Sequence, residues 1–186
     1  WNGSSWTEVG DLNTARSSGG SSGLTYTNAL MFAGTTYTNI TETWNGTSWS
    51  ETADLSTSRQ NLGGAGTNSA TVASGGRTNS STPTNATEEF TGAGLDIGAF
   101  STGPSMNTAR ANMGSVGTST AALAFGGRPP SSAVNEIYDG TSWTEIGDLN
   151  TARHSMSTSG TTTSALSIGG ENGGYVGIVE EWNGSS

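Results

Sequence analysis

Residues 138–153 read Y-D-G-T-S-W-T-E-I-G-D-L-N-T-A-R, and the same wording stands twice more. It runs from Trp44 to Arg59 as W-N-G-T-S-W-S-E-T-A-D-L-S-T-S-R and from Trp1 to Arg16 as W-N-G-S-S-W-T-E-V-G-D-L-N-T-A-R. In each copy an aromatic lies 15 residues before the arginine and a tryptophan (Trp6, Trp49, Trp143) lies 10 before it. A fourth, altered copy has Phe90 as first aromatic, Phe100 ten residues before Arg110, and Met106 in the leucine's place. Five residues are inserted between its aromatics, around Gly92, Gly94 and Gly98. Self-similarity on this scale decides the architecture before local propensity does.

Each arginine opens the same plan. A small-residue stretch follows, then a short polar turn, then a segment ending in glycine: Ala29 to Gly34, Ala70 to Gly76, Ala121 to Gly127 and Ser164 to Gly170. Three copies close on Gly-Gly (Gly75–Gly76, Gly126–Gly127, Gly169–Gly170), and the first has Ala33–Gly34. After a variable loop comes Glu-x-aromatic: Glu42 and Trp44, Glu88 and Phe90, Glu136 and Tyr138, Glu180 and Trp182. That makes four short strands per repeat of 43 to 48 residues, counted from first aromatic to first aromatic, with turn signals between them and no helical period. Asn45-Gly46 and Asp139-Gly140 predict two-residue type I′ turns, with Trp44 facing Thr47 and Glu42 facing Trp49. Small residues in the first two strands suit sheets converging on an axis, with the aromatics forming the apolar layer between sheets further out. The expected fold is all-β: a propeller with four recognisable four-stranded units, either a closed four-bladed ring or part of a larger one.

Gly-Gly after the second strand, an aromatic preceded by Glu, a tryptophan in the next hairpin and a closing arginine together resemble Kelch repeats, over the whole chain. The wording is closest to Kelch-like repeats of virion and tail-associated proteins of marine bacteriophages. That resemblance implies a Kelch-like β-propeller with a surface or adhesive role. The shorter last hairpin, Ala33 for glycine and the insertion in the third copy depart from the pattern.

The chain reads as a single propeller domain over residues 1–186, with units 17–59, 60–110, 111–153, and 154–186 completed by 1–16. Such an exchange between termini would hide two sheet edges. Trp1–Ser5 and Trp182–Ser186 are both W-N-G-S-S and would compete for one hairpin slot, so either five residues are spare or the chain is a window on a longer array. An opening Trp1 inside a repeat implies processing or excision from a longer chain.

Composition bounds the partners. Charged residues are 11% and the net charge is −9, with six basic residues, all arginine, against 15 acidic ones. Such a surface repels phosphate backbones and anionic headgroups, which argues against nucleic acid or a membrane surface as partner. No apolar run has the length of a transmembrane helix, so membrane insertion is not expected. Cysteine is absent, which excludes disulfides and thiolate metal sites, and no cofactor is called for.

Recurrence separates structural from functional residues. Arg16, Arg59, Arg110 and Arg153 read as partners of nearby carboxylates or caps for backbone carbonyls between blades, against a rival ring holding an acidic sugar. Glu42, Glu88, Glu136 and Glu180 read as partners of those arginines rather than a hydrolytic pair. Asp11, Asp54 and Asp148, replaced by Ser105 in the altered copy, read as shaping the turn into the arginine segment. The D-G-T-S-W hairpin is similar to the Asp-box of sialidase-like propellers, but a plain turn accounts for it. His154, the one histidine, is assigned no role. Asn-x-Ser/Thr occurs at Asn2, Asn39, Asn45, Asn79, Asn85 and Asn183, as expected by chance in a Ser/Thr-rich chain.

Specificity is expected in the unrepeated stretches 77–86, 92–99, 128–133 and 171–177. The contact residues singled out there are Arg77, Arg128 and the loop from Asn172 to Tyr175. The expected function is a non-enzymatic extracellular or virion-surface module. It would bind a glycan or protein on a host surface, or pack against neighbouring subunits of a virion or filament. The alternative is a sialidase-like or polysaccharide-depolymerising hydrolase, for which Asp96, Asp139 and Glu171 are the least structural carboxylates.

Overall fold

The computed structural model describes residues 3–92 and 98–185. Blade 1 comprises β1 (Gly20–Thr25), β2 (Asn28–Gly34), β3 (Thr38–Trp44) and β4 (Trp49–Glu51). Blade 2 comprises β5 (Gly63–Gly66), β6 (Ala70–Ser74), β7 (Thr87–Thr91) and β8 (Ala99–Gly103). Blade 3 comprises β9 (Gly114–Thr118), β10 (Ala121–Phe125), β11 (Asn135–Tyr138) and β12 (Trp143–Ile146). Blade 4 comprises β13 (Ser157–Thr161), β14 (Ser164–Ile168) and β15 (Val179–Trp182). Each sheet is antiparallel and its strand order follows the sequence. The chain is an all-β, four-bladed β-propeller.

The inner strands β1, β5, β9 and β13 stand side by side at the axis and line a cavity of about 430 Å³. Side chains there must be small. A Cβ on Gly64 would lie 2.5 Å from the Ser21 carbonyl oxygen, and one on Gly114 would lie 2.5 Å from Thr158 Cγ2. The hydroxyls bind across blades instead: Ser22 Oγ donates to Thr67 O (3.1 Å), Ser115 Oγ to Gly64 O (2.9 Å) and Thr158 Oγ1 to Ser115 O (3.1 Å).

Just before each inner strand, one residue adopts a left-handed conformation: Ser18 (φ 59°), Asn61 (57°), Asn112 (55°) and Ser155 (56°). The bend aims backbone groups at the neighbouring blade. Asn61 N donates to Ser18 O (2.6 Å), Asn112 N to Asn61 O (2.9 Å) and Ser155 N to Asn112 O (2.8 Å). Asparagine tolerates this region better than most residues.

Further out, apolar side chains fill the space between blades. Leu30 and Phe32 of blade 1 pack with Leu55, Leu62, Ala73 and Phe90. Val72 of blade 2 packs with Met113, Ala122, Ala124, Tyr138 and Trp143. Leu123 and Phe125 of blade 3 pack with Met156 and Ala165. Polar ties cross the same seams: Tyr138 Oη donates to the Glu89 carboxylate, and Trp143 Nε1 to Thr87 Oγ1 (3.2 Å). The Glu89 hydrogen bond and charge add to burial in pushing the Tyr138 phenol well above its usual range.

The outer hairpins correct one expectation. Trp44 faces Trp49 and Tyr138 faces Trp143, so the loops have four residues and not two. Asn45 Oδ1 accepts from Thr47 N and Ser48 N (both 2.9 Å), and Asp139 Oδ1 accepts from Thr141 N and Ser142 N (both 2.8 Å). An Asx side chain that mimics a backbone turn widens the loop. Only Gly46 and Gly140, not their Asx neighbours, have positive φ. The aromatics are therefore direct partners, with ring centroids 5.5 Å apart for Trp44–Trp49 and 5.0 Å for both Phe90–Phe100 and Tyr138–Trp143.

The fourth sheet has three strands among the described residues. Residues 3–12, expected to complete it, form no strand. Their continuation lies on blade 1, where Asn13 N donates to Glu42 Oε2 (2.7 Å).

Ala33 (φ 61°) has the backbone conformation of Gly75 (61°), Gly126 (66°) and Gly169 (64°). A Cβ on Gly126 would meet Arg153 O at 2.6 Å and Met156 Cε at 2.4 Å. Gly126→Ala is therefore expected to cost about 2–3 kcal/mol, from left-handed strain plus overpacking. Ala33→Gly relieves strain at the cost of a buried methyl and should change stability by less than about 1 kcal/mol. Denaturant melts of both variants check this; equal losses would contradict it.

Candidate functional site

Four arginines are built into the blades. Each donates to the glutamate of the third strand: Arg16 to Glu42, Arg59 to Glu88 (2.8 Å), Arg110 to Glu136 (3.0 Å) and Arg153 to Glu180 (2.5 Å). Each also binds backbone carbonyls of its own blade. Arg16 reaches Met31 O, Arg59 reaches Gly75 O and Ala86 O, Arg110 reaches Ala124 O and Val134 O, and Arg153 reaches Ser167 O. The glutamates accept more: Asn13, Asn107 and Asn150 each give both backbone N–H and side-chain amide to one carboxylate, and Ser56 N takes that place at Glu88.

These groups hold the strands and the incoming link together and present no open cation. Burial is the largest single influence on Glu42 and raises its pKa, but Arg16 and the N–H groups of Asn13 and Thr14 together hold it below the usual carboxylate range. Glu180 is likewise lowered, against burial, by Asn150 and Arg153. Burial depresses Arg59 and Arg110, opposed by Glu88 and Glu136.

Two of the recurring aspartates, Asp54 and Asp148, hold the third strand of their blade. Asp54 Oδ1 accepts from Thr41 N (2.9 Å) within β3 and Asp148 Oδ1 from Asn135 N (3.2 Å) at the start of β11. Among the sequons, Asn45, Asn79 and Asn183 cap turns through Oδ1. Asn39 and Asn85 donate to Leu55 O and Met106 O. Asn2 lies outside the described residues.

The variable loops tell another story. Arg77, Arg128 and Glu171 each directly follow Gly-Gly, and Thr35 stands at the same place in blade 1. They are one repeat position with a free choice of side chain, not residues outside the repeat. Each pairs through its backbone with the residue after a staple arginine: Gln60 with Arg77, Ala111 with Arg128, His154 with Glu171. That pairing puts them around one mouth of the axis. The residue after Gly-Gly was the sequence signal that marks this position.

Arg77 Nη1 donates to Ser80 O (3.2 Å) and Arg128 Nε to Asn112 Oδ1 (3.1 Å). His154, assigned no role from sequence, stands between them electrically. Burial lowers its pKa most, Arg128 and Arg77 lower it further, and Glu171 opposes them. The 171–175 loop turns on an Asn172 N to Gly174 O bond (2.9 Å) and a Glu171–Tyr175 bridge, leaving Tyr175 92% exposed. With four of the six basic residues inside staples, the other two both stand at this mouth.

The carboxylates named for hydrolysis do not converge. Asp139 sits in the β11–β12 hairpin, its Gly140 neighbour against Thr120 at the end of the blade opposite Arg128. The N–H groups of Thr141 and Ser142 hold it down at about 2. Glu171 lies at the other end, beside His154, and Asp96 is outside the described residues. Among the described residues no group of three or more His, Cys, Asp or Glu is placed to hold a metal ion.

No protein-family model matches the chain, and no curated protein matches it significantly. Many solved structures do. One, titled "Structure of YjhT", is 14% identical with a TM-score of 0.64, covering 77% of this chain and 48% of that one. At this identity the likeness supports the propeller fold alone. The chain spans about half the length of that structure.

The staples give two expectations. Arg110→Ala would strand Glu136 in a dry site and should cost about 3–5 kcal/mol. Because Glu42 and Glu180 titrate below their unfolded values, their stabilisation is full above about pH 4.5 and is lost as pH falls through their folded values. Melts at falling pH should show stability declining below that point, and less steeply in Glu42→Gln. A pH-independent melt between 5 and 2 would contradict this.

Proposed function

We propose that this propeller is a non-enzymatic binding module of an extracellular or virion surface, and that the Arg77–Arg128 mouth is its contact face. The observation that carries this is charge placement: on a chain of net charge −9, both arginines outside the staples stand at one mouth, beside an exposed tyrosine. A guanidinium takes a carboxylate through paired, charge-assisted hydrogen bonds. An exposed aromatic offers an apolar face to a sugar ring or a side chain. The ligand class is therefore an acidic glycan or a carboxylate-rich protein segment, with Asn172 supplying further hydrogen bonds. The repeat wording, which resembles Kelch-like repeats of virion and tail-associated phage proteins, supports the surface setting.

The test is binding to immobilised glycans that carry uronate or sialate, with carboxyl-reduced versions as controls. Binding should require the carboxylates, weaken with salt, and fall at least about tenfold in Arg77→Ala/Arg128→Ala, since each charge-assisted bond contributes about 1.5–3 kcal/mol. Unchanged binding in that variant would overturn the assignment of the face. Turnover of the glycan, lost on changing Glu171, would replace the reading with a hydrolase. If imaging of a native assembly shows the mouth buried between subunits, its role is packing and not adhesion.

A further inference from the structure

An asparagine followed by glycine can modify itself, because a glycine backbone, free of a side chain, lets its nitrogen swing onto the asparagine amide carbon. The pair occurs at Asn2, Asn45, Asn172 and Asn183, and Asn2 lies outside the described residues. The other three stand in two different settings.

Asn45 and Asn183 are held. Asn45 Oδ1 accepts from Thr47 N and Ser48 N (both 2.9 Å), and Asn183 Oδ1 accepts from Ser185 N (3.0 Å) and Ser185 Oγ (3.1 Å). Their glycines lie against the preceding hairpin. A Cβ on Gly46 would be 3.4 Å from Thr27, and one on Gly184 would be 3.0 Å from the Thr163 carbonyl oxygen. Closing the side chain onto the next nitrogen would break the cap and move the packed glycine.

Asn172 is not held. Among the described residues its side chain has no hydrogen-bond partner, and its backbone N donates to Gly174 O (2.9 Å). A Cβ on Gly173 or on Gly174 would meet nothing within 4 Å. This exposure belongs to the position after Gly-Gly and not to the place of the blade in the chain. Asn79, Pro129 and Pro130, at the matching places in blades 2 and 3, are exposed too, although those blades have a neighbour on either side.

We infer that Asn172 is a self-modification site, whose conversion to a carboxylate makes the Arg77–Arg128 mouth less attractive to anions as the protein ages. Solvent base takes the Gly173 N–H proton, the nitrogen bonds to Asn172 Cγ, and the Cγ–Nδ2 bond breaks to release ammonia. Water then opens the cyclic imide at one of its carbonyls. The product is aspartate or, with the backbone rerouted through the side chain, isoaspartate. The sum is amide plus water giving carboxylic acid plus ammonia, with no oxidant and no enzyme. The new carboxylate joins Glu171 against Arg77 and Arg128, so the side-chain charge of these positions falls from +1 to 0 (2 − 1 = +1; 2 − 2 = 0). Isoaspartate also lengthens the backbone inside the turn that the Glu171–Tyr175 bridge closes. A modification that changes charge acts on a ligand by ordinary electrostatics. That effect rests on the mouth being the contact face, whereas the chemistry at Asn172 does not.

The test is peptide mapping by mass spectrometry of the full chain aged in mildly alkaline buffer. The Asn172 peptide should gain about 1 Da and carry isoaspartate. It should do so at least about tenfold faster than the Asn45 and Asn183 peptides, whose capping bonds must open first. In denaturant the three should convert at similar rates, because the fold and not the neighbouring sequence sets the difference. Matching rates in the folded chain, or a gap that persists in denaturant, would overturn the site. Binding to immobilised polyuronate should weaken about two- to fivefold, the size of an exposed charge pair, in aged protein and in Asn172→Asp alike. If Asn172→Asp binds as well as the unmodified chain while Arg77→Ala/Arg128→Ala does not, the link to charge is overturned. If neither variant loses binding, the contact face is wrong, and the mass readings still decide the site.

Discussion

One interaction recurs at every junction: a buried arginine that binds a third-strand glutamate and the carbonyls beside it. An ion pair in a dry site is not favourable merely by being there; desolvation of both charges offsets much of their attraction unless further hydrogen bonds complete the shells. Here they do. The carboxylate takes the link's backbone N–H, the guanidinium and, in three of the four blades, an asparagine amide. The arginine takes a carbonyl from the second strand or, in blade 2, from the glycine just after it, and in blades 2 and 3 another just before the third strand. A lysine could not bridge these, having no planar fork. The pair thus fixes how the incoming chain meets two strands, which is the geometry a blade needs to repeat.

The second constraint is radial. Near the axis four strands crowd together, and glycines, serines and threonines are what fit; further out the seams widen and take Phe32, Tyr138 and Trp143. The low charge content of the chain follows from this layout. The staples remove four cations and four anions from the surface, so the net charge of −9 is carried by the remaining 2 arginines and 11 acids (2 − 11 = −9). Solubility then rests on hydroxyls and amides, and any cation left at the surface stands out electrically.

Much of this is legible in sequence because it repeats. The strands, their order, the inward small residues and the arginine and glutamate positions all recur at fixed spacing, and recurrence is what a repeat fold needs to build its core. The hairpin register was not legible. Asn-Gly and Asp-Gly fit a two-residue turn as well as the wider loop. What decides is whether the Asx oxygen captures the next two N–H groups, which is a matter of conformation and not of identity. The site was half-legible. Arg77 and Arg128 stand out by composition, but their common place after Gly-Gly is hidden because Thr35 and Glu171 fill it elsewhere. The part of His154 in the mouth depends on a bridge to Glu171 that no local pattern announces.

That same placement explains how the mouth can vary without harm to the fold. The staple arginines bind backbone oxygens and third-strand glutamates, and the bridge joining Gln60 to Arg77 or His154 to Glu171 uses backbone groups as well. Side chains after Gly-Gly therefore carry little of the architecture, and the glycines hold the turn whatever follows. Replacing an arginine by a glutamate at this position changes the field over the mouth by two charges and removes the side-chain bond to Ser80 O or Asn112 Oδ1, while the backbone bridges stay as they were. A fold whose structural bonds are confined to recurring positions leaves the side chains at this ring of positions free to vary.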